Sequence, residues 1–326
     1  MKLRLGLGLL VLLVVAGLGI WLFGPREPVD LRVTFDPDSI GDDPAAYLAR
    51  EEADIPNLRG NAAKEIVWAY PNSRAKTPLA IVYVHGFSAD KAEVRPLPDR
   101  LAQALHANLF LTRLTGHGRD GVAMEMASVN DWMNDLAEAI QIGRRIGERV
   151  VIVANSTGAT LATLGATRPG LMKGVDGLVL MSPNYELRDW RASLLTYPFA
   201  RDLALLIGGP ETGFEPVNAA MAKHWTTHYP TAALLPMAAL MKAAREADLG
   251  SIRIPTLFVV SPNDQVIDPA TVRAAALRWG APTDMTEVTD SGDPAGHVLA
   301  GDILSPGTTD EVARRIAEWV RALPRP

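Results

Sequence analysis

The chain of 326 residues carries 32 Lys and Arg against 37 Asp and Glu, and 48% of its residues are hydrophobic. That size and composition suit one large α/β domain or two smaller ones around a buried core, while the net charge of −5 and the lack of any Lys/Arg cluster argue against nucleic acid as a partner. No cysteine is present, which excludes disulfides, zinc–thiolate sites and a cysteine nucleophile but leaves the compartment open.

The amino terminus is the most distinctive stretch of composition. After Lys2 and Arg4, residues Leu5 to Phe23 include no charge and no strongly polar side chain. At about 1.5 Å per residue such a helix roughly matches the ~30 Å hydrocarbon core of a bilayer. A cleaved secretory signal is the alternative, with the protein then secreted. Val14-Val15-Ala16 is a poor small-x-small site, however, and cleavage there would leave Leu18 to Phe23 apolar in water. Residues 1–24 are therefore read as one N-terminal transmembrane helix. Basic residues before the span and few after it place the body outside the cytoplasm, facing the periplasm if the source is bacterial.

Residues 25–64 read as a linker, Gly24-Pro25-Arg26-Glu27-Pro28, and an extension with a helix near Pro44 to Ala53. Residues 65–326 form the main domain. A strand at Glu65 to Tyr70 and a turn at Pro71-Asn72-Ser73 open it. Apolar runs at 79–84, 109–113, 150–154, 178–181, 256–260 and 284–288 then alternate with helical periodicity at 97–107, 132–146, 157–167, 269–279 and 309–322. Fully apolar runs such as Val150-Val151-Ile152-Val153 suit strands buried on both faces. Their alternation with helices predicts a mostly parallel sheet with helices on both faces. Between about 185 and 250 the rhythm breaks into helix-compatible sequence with no convincing strand, which reads as a helical lid insertion.

Four local signals carry chemistry. In Val150 to Thr160 a buried strand runs into Ala154-Asn155-Ser156-Thr157-Gly158 and a helix begins at once, the small-x-Ser-x-Gly pattern of a serine on a tight strand-to-helix turn. Ala154 stands where glycine is usual, and the competing reading of Ser156 is a plain helix N-cap. The strand at 80–84 ends in His85-Gly86-Phe87-Ser88, and the next in Gly116-His117-Gly118; both histidines read as structural. The strand at 256–260 ends in Ser261-Pro262-Asn263-Asp264, a carboxylate just past a strand end. Asp268, before Pro269, is better placed to cap the following helix. Of the six histidines, only His297 follows both the serine and this acid in a loop after a strand. His224 and His228 read as surface of the insertion, with one of them a candidate pocket residue.

These residues together resemble the α/β-hydrolase superfamily, and within it the carboxylesterase, monoacylglycerol lipase and lysophospholipase group, which is also grouped with serine aminopeptidase-like hydrolases. The resemblance spans roughly 65–322. It implies Ser156 as nucleophile, His297 as general base, Asp264 as the triad acid and the N–H groups of Phe87 and Thr157 as the oxyanion hole, with no cofactor and no metal. The implied partner is a small-molecule acyl ester. A lid carrying Trp190, Tyr197, Phe199, Phe214, Met221, Trp225, Tyr229, Met237 and Met241 suits an acyl chain, although most of these side chains are expected to form the lid's own core. A thioesterase or peptidase on the same residues, or a catalytically dead membrane-anchored binding protein, are the rival readings.

Overall fold

The computed structural model describes residues 2–324. Helix α1 (Lys2–Phe23) opens the chain. Its stretch Gly6–Phe23 has a mean hydropathy of 2.5 with none of it buried, and among the described residues it is the one helix long and apolar enough to cross a membrane. Helix α2 (Pro44–Ala53) starts where Asp43 accepts from the N–H groups of Ala45 and Ala46, with Pro44 in the first turn. This extension is pinned to the body by buried polar contacts. Arg113 pairs with Glu52 at 2.8 Å, Tyr47 donates to Glu138 at 2.7 Å, and Lys64 also reaches Glu138.

The main body continues through β1 (Glu65–Val67), β2 (Thr77–Val84), α3 (Leu97–Leu105), β3 (Asn108–Leu111), α4 (Gly121–Glu125), α5 (Val129–Ile146), β4 (Gly147–Asn155), α6 (Ser156–Ala166) and β5 (Val175–Met181). An insert follows, holding a 3-10 turn at Trp190–Thr196, then α7 (Ala200–Gly208), β6 (Glu211–Gly213), α8 (Ala219–His224), β7 (His228–Pro230) and α9 (Leu234–Glu246). The chain closes with β8 (Thr256–Val260), α10 (Pro269–Leu277), β9 (Thr283–Glu287) and α11 (Thr309–Ala322).

Seven strands form one sheet in the order β1-β3-β2-β4-β5-β8-β9. All neighbours are parallel except β1, which runs antiparallel to β3 at the edge. The pleat sorts even a continuous apolar run onto two faces. Ala80, Val82 and Val84 of β2 join Trp132, Leu136 and Ile140 of α5 in one core. Ile81 and Tyr83 join Leu97 and Leu101 of α3 and Ile316 of α11 in the other. β4 lies at the centre, beside the point where the strand order reverses, so the carboxyl end of β4 opens into the crevice where such sheets place their ligands.

Most element bounds fall within a few residues of those read from the sequence; the departures have local causes. α5 begins at Val129 because Ser128 and Asp131 form a reciprocal capping box. α3 stops at Leu105 because His106 adopts a left-handed conformation, φ 51°, and its N–H turns back to Ala102 and Gln103. The insert is not wholly helical: β6 and β7 pair antiparallel, Glu211 with Pro230 and Gly213 with His228. Three-residue strands are too short to show alternation.

Candidate active site

The turn from β4 to α6 presents Ser156 with φ 50°, a left-handed conformation that is uncommon for a non-glycine residue and is held here by the strand on one side and the helix on the other. Gly158 explains the small residue two places on. A Cβ there would lie 2.5 Å from both the Val84 and His85 carbonyl oxygens. Ala154, where glycine is usual, is fully buried within β4 and pairs with Val84 and Leu180. Asn155 is the N-cap of α6 and makes no side-chain cap bond, so Ser156 does not serve as a cap.

The structure brings three of the expected residues into one row. Ser156 Oγ lies 2.9 Å from His297 Nε2, and His297 Nδ1 lies 2.8 Å from Asp264 Oδ2. Asp264 is fully buried, and its other oxygen accepts from the N–H groups of Val266 and Ile267 at 2.8 and 3.0 Å. Its orientation is therefore fixed by backbone as well as by the imidazole. Burial opposes protonation of His297, but the hydrogen bond and charge of Asp264 outweigh it, and the pKa stands above the ordinary histidine value. Asp268 caps α10 by accepting from Ala270 N–H and takes no part in the row.

His297 sits on a loop that is itself tied down. Asp293 accepts from the N–H groups of His297 and Val298 at 3.0 and 2.8 Å. Ser182, at the end of β5, donates to the His297 carbonyl at 2.7 Å. Gln265 N–H reaches Ala295 O at 2.8 Å, joining the loop of Asp264 to the loop of His297.

Phe87 and Thr157 flank the serine. The first turn of α6 leaves its N–H groups without intrahelical acceptors, and the helix dipole favours negative charge there. The Phe87 N–H has no acceptor among the described residues. The Thr157 hydroxyl accepts from Asn184 at 2.8 Å. The Phe87 ring meets His117 and Tyr229 edge-on, with centroids 5.7 and 5.5 Å apart, and joins an apolar cluster with Met124 and Ala233. The cluster ties the loop after β2 to the insert, which supplies Tyr229 and Ala233.

His85 and His117 behave as the sequence reading expects. Burial pushes His85 down to about 4; its Nδ1–H donates to Gly86 O at 2.8 Å and its Nε2 accepts from Leu114 N–H at 3.1 Å. Burial also carries His117 well below the usual range, so both are neutral scaffolding. His228 is exposed, whereas His224 reaches Asp90 at 3.0 Å and joins the insert to the loop after β2.

Glu93 was not singled out by sequence reasoning. It is 2% exposed, and one oxygen accepts from both the Tyr83 hydroxyl and the Gly86 N–H at 2.8 Å. A Cβ on Gly86 would lie 2.7 Å from the other Glu93 oxygen and 3.1 Å from Ser156 Cβ. Glu93 therefore sets the height of the Gly86–Phe87 backbone behind the serine, although burial pushes its carboxyl pKa up. Asp293 and Asn184 were missed in the same way, because a polar residue in a loop looks the same in sequence whether it faces water or backbone.

An open, mostly parallel sheet whose central strand delivers a serine into a Ser–His–Asp row defines the α/β class that presents reactive side chains at the carboxyl edge of the sheet. The chain belongs to the alpha/beta hydrolase family, whose model matches residues 81–314. Among curated proteins it is 27% identical over 200 residues to a thermostable monoacylglycerol lipase of Bacillus sp. strain H-257, covering 59% of this chain and 73% of that one. Among solved structures, one reported with the metagenome-derived lipolytic enzymes LipS and LipT aligns with a TM-score of 0.65 at 16% identity, over 81% of this chain and 99% of that one. A soluble variant of monoglyceride lipase from Saccharomyces cerevisiae, in complex with a substrate analogue, aligns with a TM-score of 0.61 at 12% identity, over 81% and 92%. At these identities the structural likeness speaks for the fold.

Proposed function

We propose that the protein is a serine hydrolase that cleaves carboxylic esters of acyl or lipid-like character, through Ser156, His297 and Asp264 and a covalent acyl-enzyme. The observation that carries this reading is the unbroken row from Asp264 through His297 to Ser156 at the β4–α6 turn. His297 Nε2 takes the serine proton as Oγ attacks the acyl carbonyl. The N–H groups of Phe87 and Thr157 hold the tetrahedral oxyanion, His297 returns the proton to the leaving alcohol, and water repeats the sequence to release the acid. Asp264 keeps the imidazole in the tautomer that accepts at Nε2. The monoacylglycerol lipase relative and the apolar cluster around Phe87 support an acyl-chain substrate.

The arrangement of the rest of the chain follows the same reading. Residues 1–24 serve as the membrane anchor, 25–64 as linker and extension, and 65–326 as the hydrolase domain with a lid at about 185–250. The apolar, unburied α1 supports the anchor, and its flanking charges support a catalytic domain outside the cytoplasm.

The test is hydrolysis of p-nitrophenyl esters of increasing acyl length by the full chain in detergent, beside Ser156→Ala. Activity lost in the variant and covalent labelling of the wild type by a fluorophosphonate support the reading. A folded wild type that neither turns over esters nor takes the label would overturn it. Labelling without ester turnover would retain the nucleophile and reassign the substrate to thioesters or amides.

A further inference from the structure

The apolar aromatics of the insert divide into two sets. Trp225, Tyr229, Met237 and Met241 are buried, as side chains of an internal core should be. Trp190 is 73% exposed, Leu206 82% and Ile207 69%, while Tyr197, Phe199 and Leu203 are each more than a third exposed. Scattered apolar residues on a surface are ordinary, but a concentration within one short segment marks a surface that meets something apolar.

The position of this segment says what it meets. Trp21, near the end of α1, packs edge-on against Tyr197 with centroids 5.0 Å apart. Phe199 N–H donates to Pro25 O at 2.7 Å, and Arg201 pairs with Glu27 at 3.3 Å. Gly24 passes so close that a Cβ would lie 2.6 Å from Pro198 Cβ. The Arg26 guanidinium sits 5.5 Å from the centre of the Trp21 ring. A tryptophan and an arginine at the end of an apolar helix are the residues that settle at the boundary between hydrocarbon and headgroups. The exposed apolar segment is therefore continuous with the point where α1 leaves its apolar stretch.

The other side of α7 packs onto the core of the insert. Ala200 packs with Ala232 and Leu235, and the next residue, Ala233, belongs to the cluster with Met124, Tyr229 and Phe87.

We propose that the segment from Trp190 to Gly208 is a bilayer-docking surface, held beside the end of the anchor by the Trp21–Tyr197 joint. Its occupant is the lipid bilayer. It lays α7 in the interfacial layer with Leu206 and Ile207 among the acyl chains. The proposal rests on α1 being a membrane span and adds the orientation of the hydrolase domain on the membrane.

Because the chain has no cysteine, single labels can be placed without background. The full chain would be reconstituted in phosphatidylcholine nanodiscs as Ile207→Cys, Leu277→Cys and Val14→Cys, each carrying an environment-sensitive fluorophore. Leu277 is the control, an isolated apolar residue of α10 that is 89% exposed. Doxyl-labelled lipid should quench positions 14 and 207 and leave 277 untouched. Quenching at 14 with 207 behaving like 277 would overturn the docking surface while the anchor stands. An unquenched 14 would remove the span on which the docking surface rests and would overturn the proposal. A blue-shifted but unquenched 207 would show a protein partner or second copy instead, and would overturn the proposal. As a second readout, Leu206→Asp with Ile207→Asp should lower hydrolysis of a long-chain ester carried in vesicles severalfold and leave a short soluble ester within about twofold. Equal loss on both substrates would overturn the proposal.

Discussion

The loops at the carboxyl edge of the sheet and the outer part of the insert are built on opposite terms. At the sheet edge three buried carboxylates are held by fixed donors: Asp264 holds two backbone N–H groups, Asp293 two more, and Glu93 a hydroxyl and an N–H. In the outer insert, Trp190, Leu206 and Ile207 face outward with most of their area uncovered. The contrast teaches that the proposed catalytic positions are held by several bonds each, whereas the proposed docking surface would be completed only by its surroundings. Changes at the edge should therefore appear in turnover on any substrate, and changes in the outer insert only on substrates presented in lipid.

The largest effect expected is that of Ser156→Ala, which removes the attacking atom and should cut turnover on the order of a million-fold, read by steady-state ester hydrolysis with circular dichroism as the check on folding. Next is Asp264→Asn. The wrong imidazole tautomer should cost about four orders of magnitude in kcat, and the loss of the negative partner should also shift the pH profile. On the proposed mechanism hydrolysis needs neutral His297, so activity should fall as pH drops through its pKa. Because Asp264 holds that pKa above the ordinary value, the acid limb of kcat/KM should lie at higher pH in the wild type than in the variant, whose residual activity should titrate at lower pH. A variant with an unmoved limb would detach the profile from this pair.

Smaller still is Glu93→Leu. Freed from its carboxylate, the Gly86–Phe87 backbone should shift, with kcat lower by about 10- to 100-fold and KM little changed. Glu93→Gln keeps an acceptor for Gly86 N–H and should recover most of the rate. A merely structural role would instead lower thermal stability in both variants without this split between kcat and KM. The smallest effect on soluble substrate belongs to Leu206→Asp with Ile207→Asp, within about twofold, and it is the one that most sharply separates the two regions.

The sequence was legible where one pattern has one physical cause. Val150 to Ala154 reads as a central strand because only a strand covered on both faces tolerates five apolar residues in a row beside a tight turn, and Asp43-Pro44 marks the start of α2 by its capping chemistry. Ser156, Asp264 and His297 were findable because each follows a strand end, and strand ends of a parallel sheet converge in space. Glu93 was not findable, since its role depends on a loop folding back beneath Gly86. Nor were β6 and β7, whose pairing is set by the packing of the insert. The exposure of Trp190, Tyr197 and Phe199 also escaped sequence reasoning, which expected most of the insert's named apolar residues to bury one another; apolar composition is the same for a core and for an exposed face.

One seam between the two regions limits how the insert can move. Thr226, just after α8, gives its N–H to the Ser88 carbonyl at 2.8 Å and its hydroxyl to the Arg119 carbonyl at 2.8 Å, while His224 lies 3.0 Å from Asp90. Ser88 directly follows Phe87. Lifting this end of the insert would break these bonds, each worth roughly 0.5–1.5 kcal/mol, and would drag the loop that carries Phe87 with it. On the α8 side the insert and the loop of Phe87 thus move as one piece.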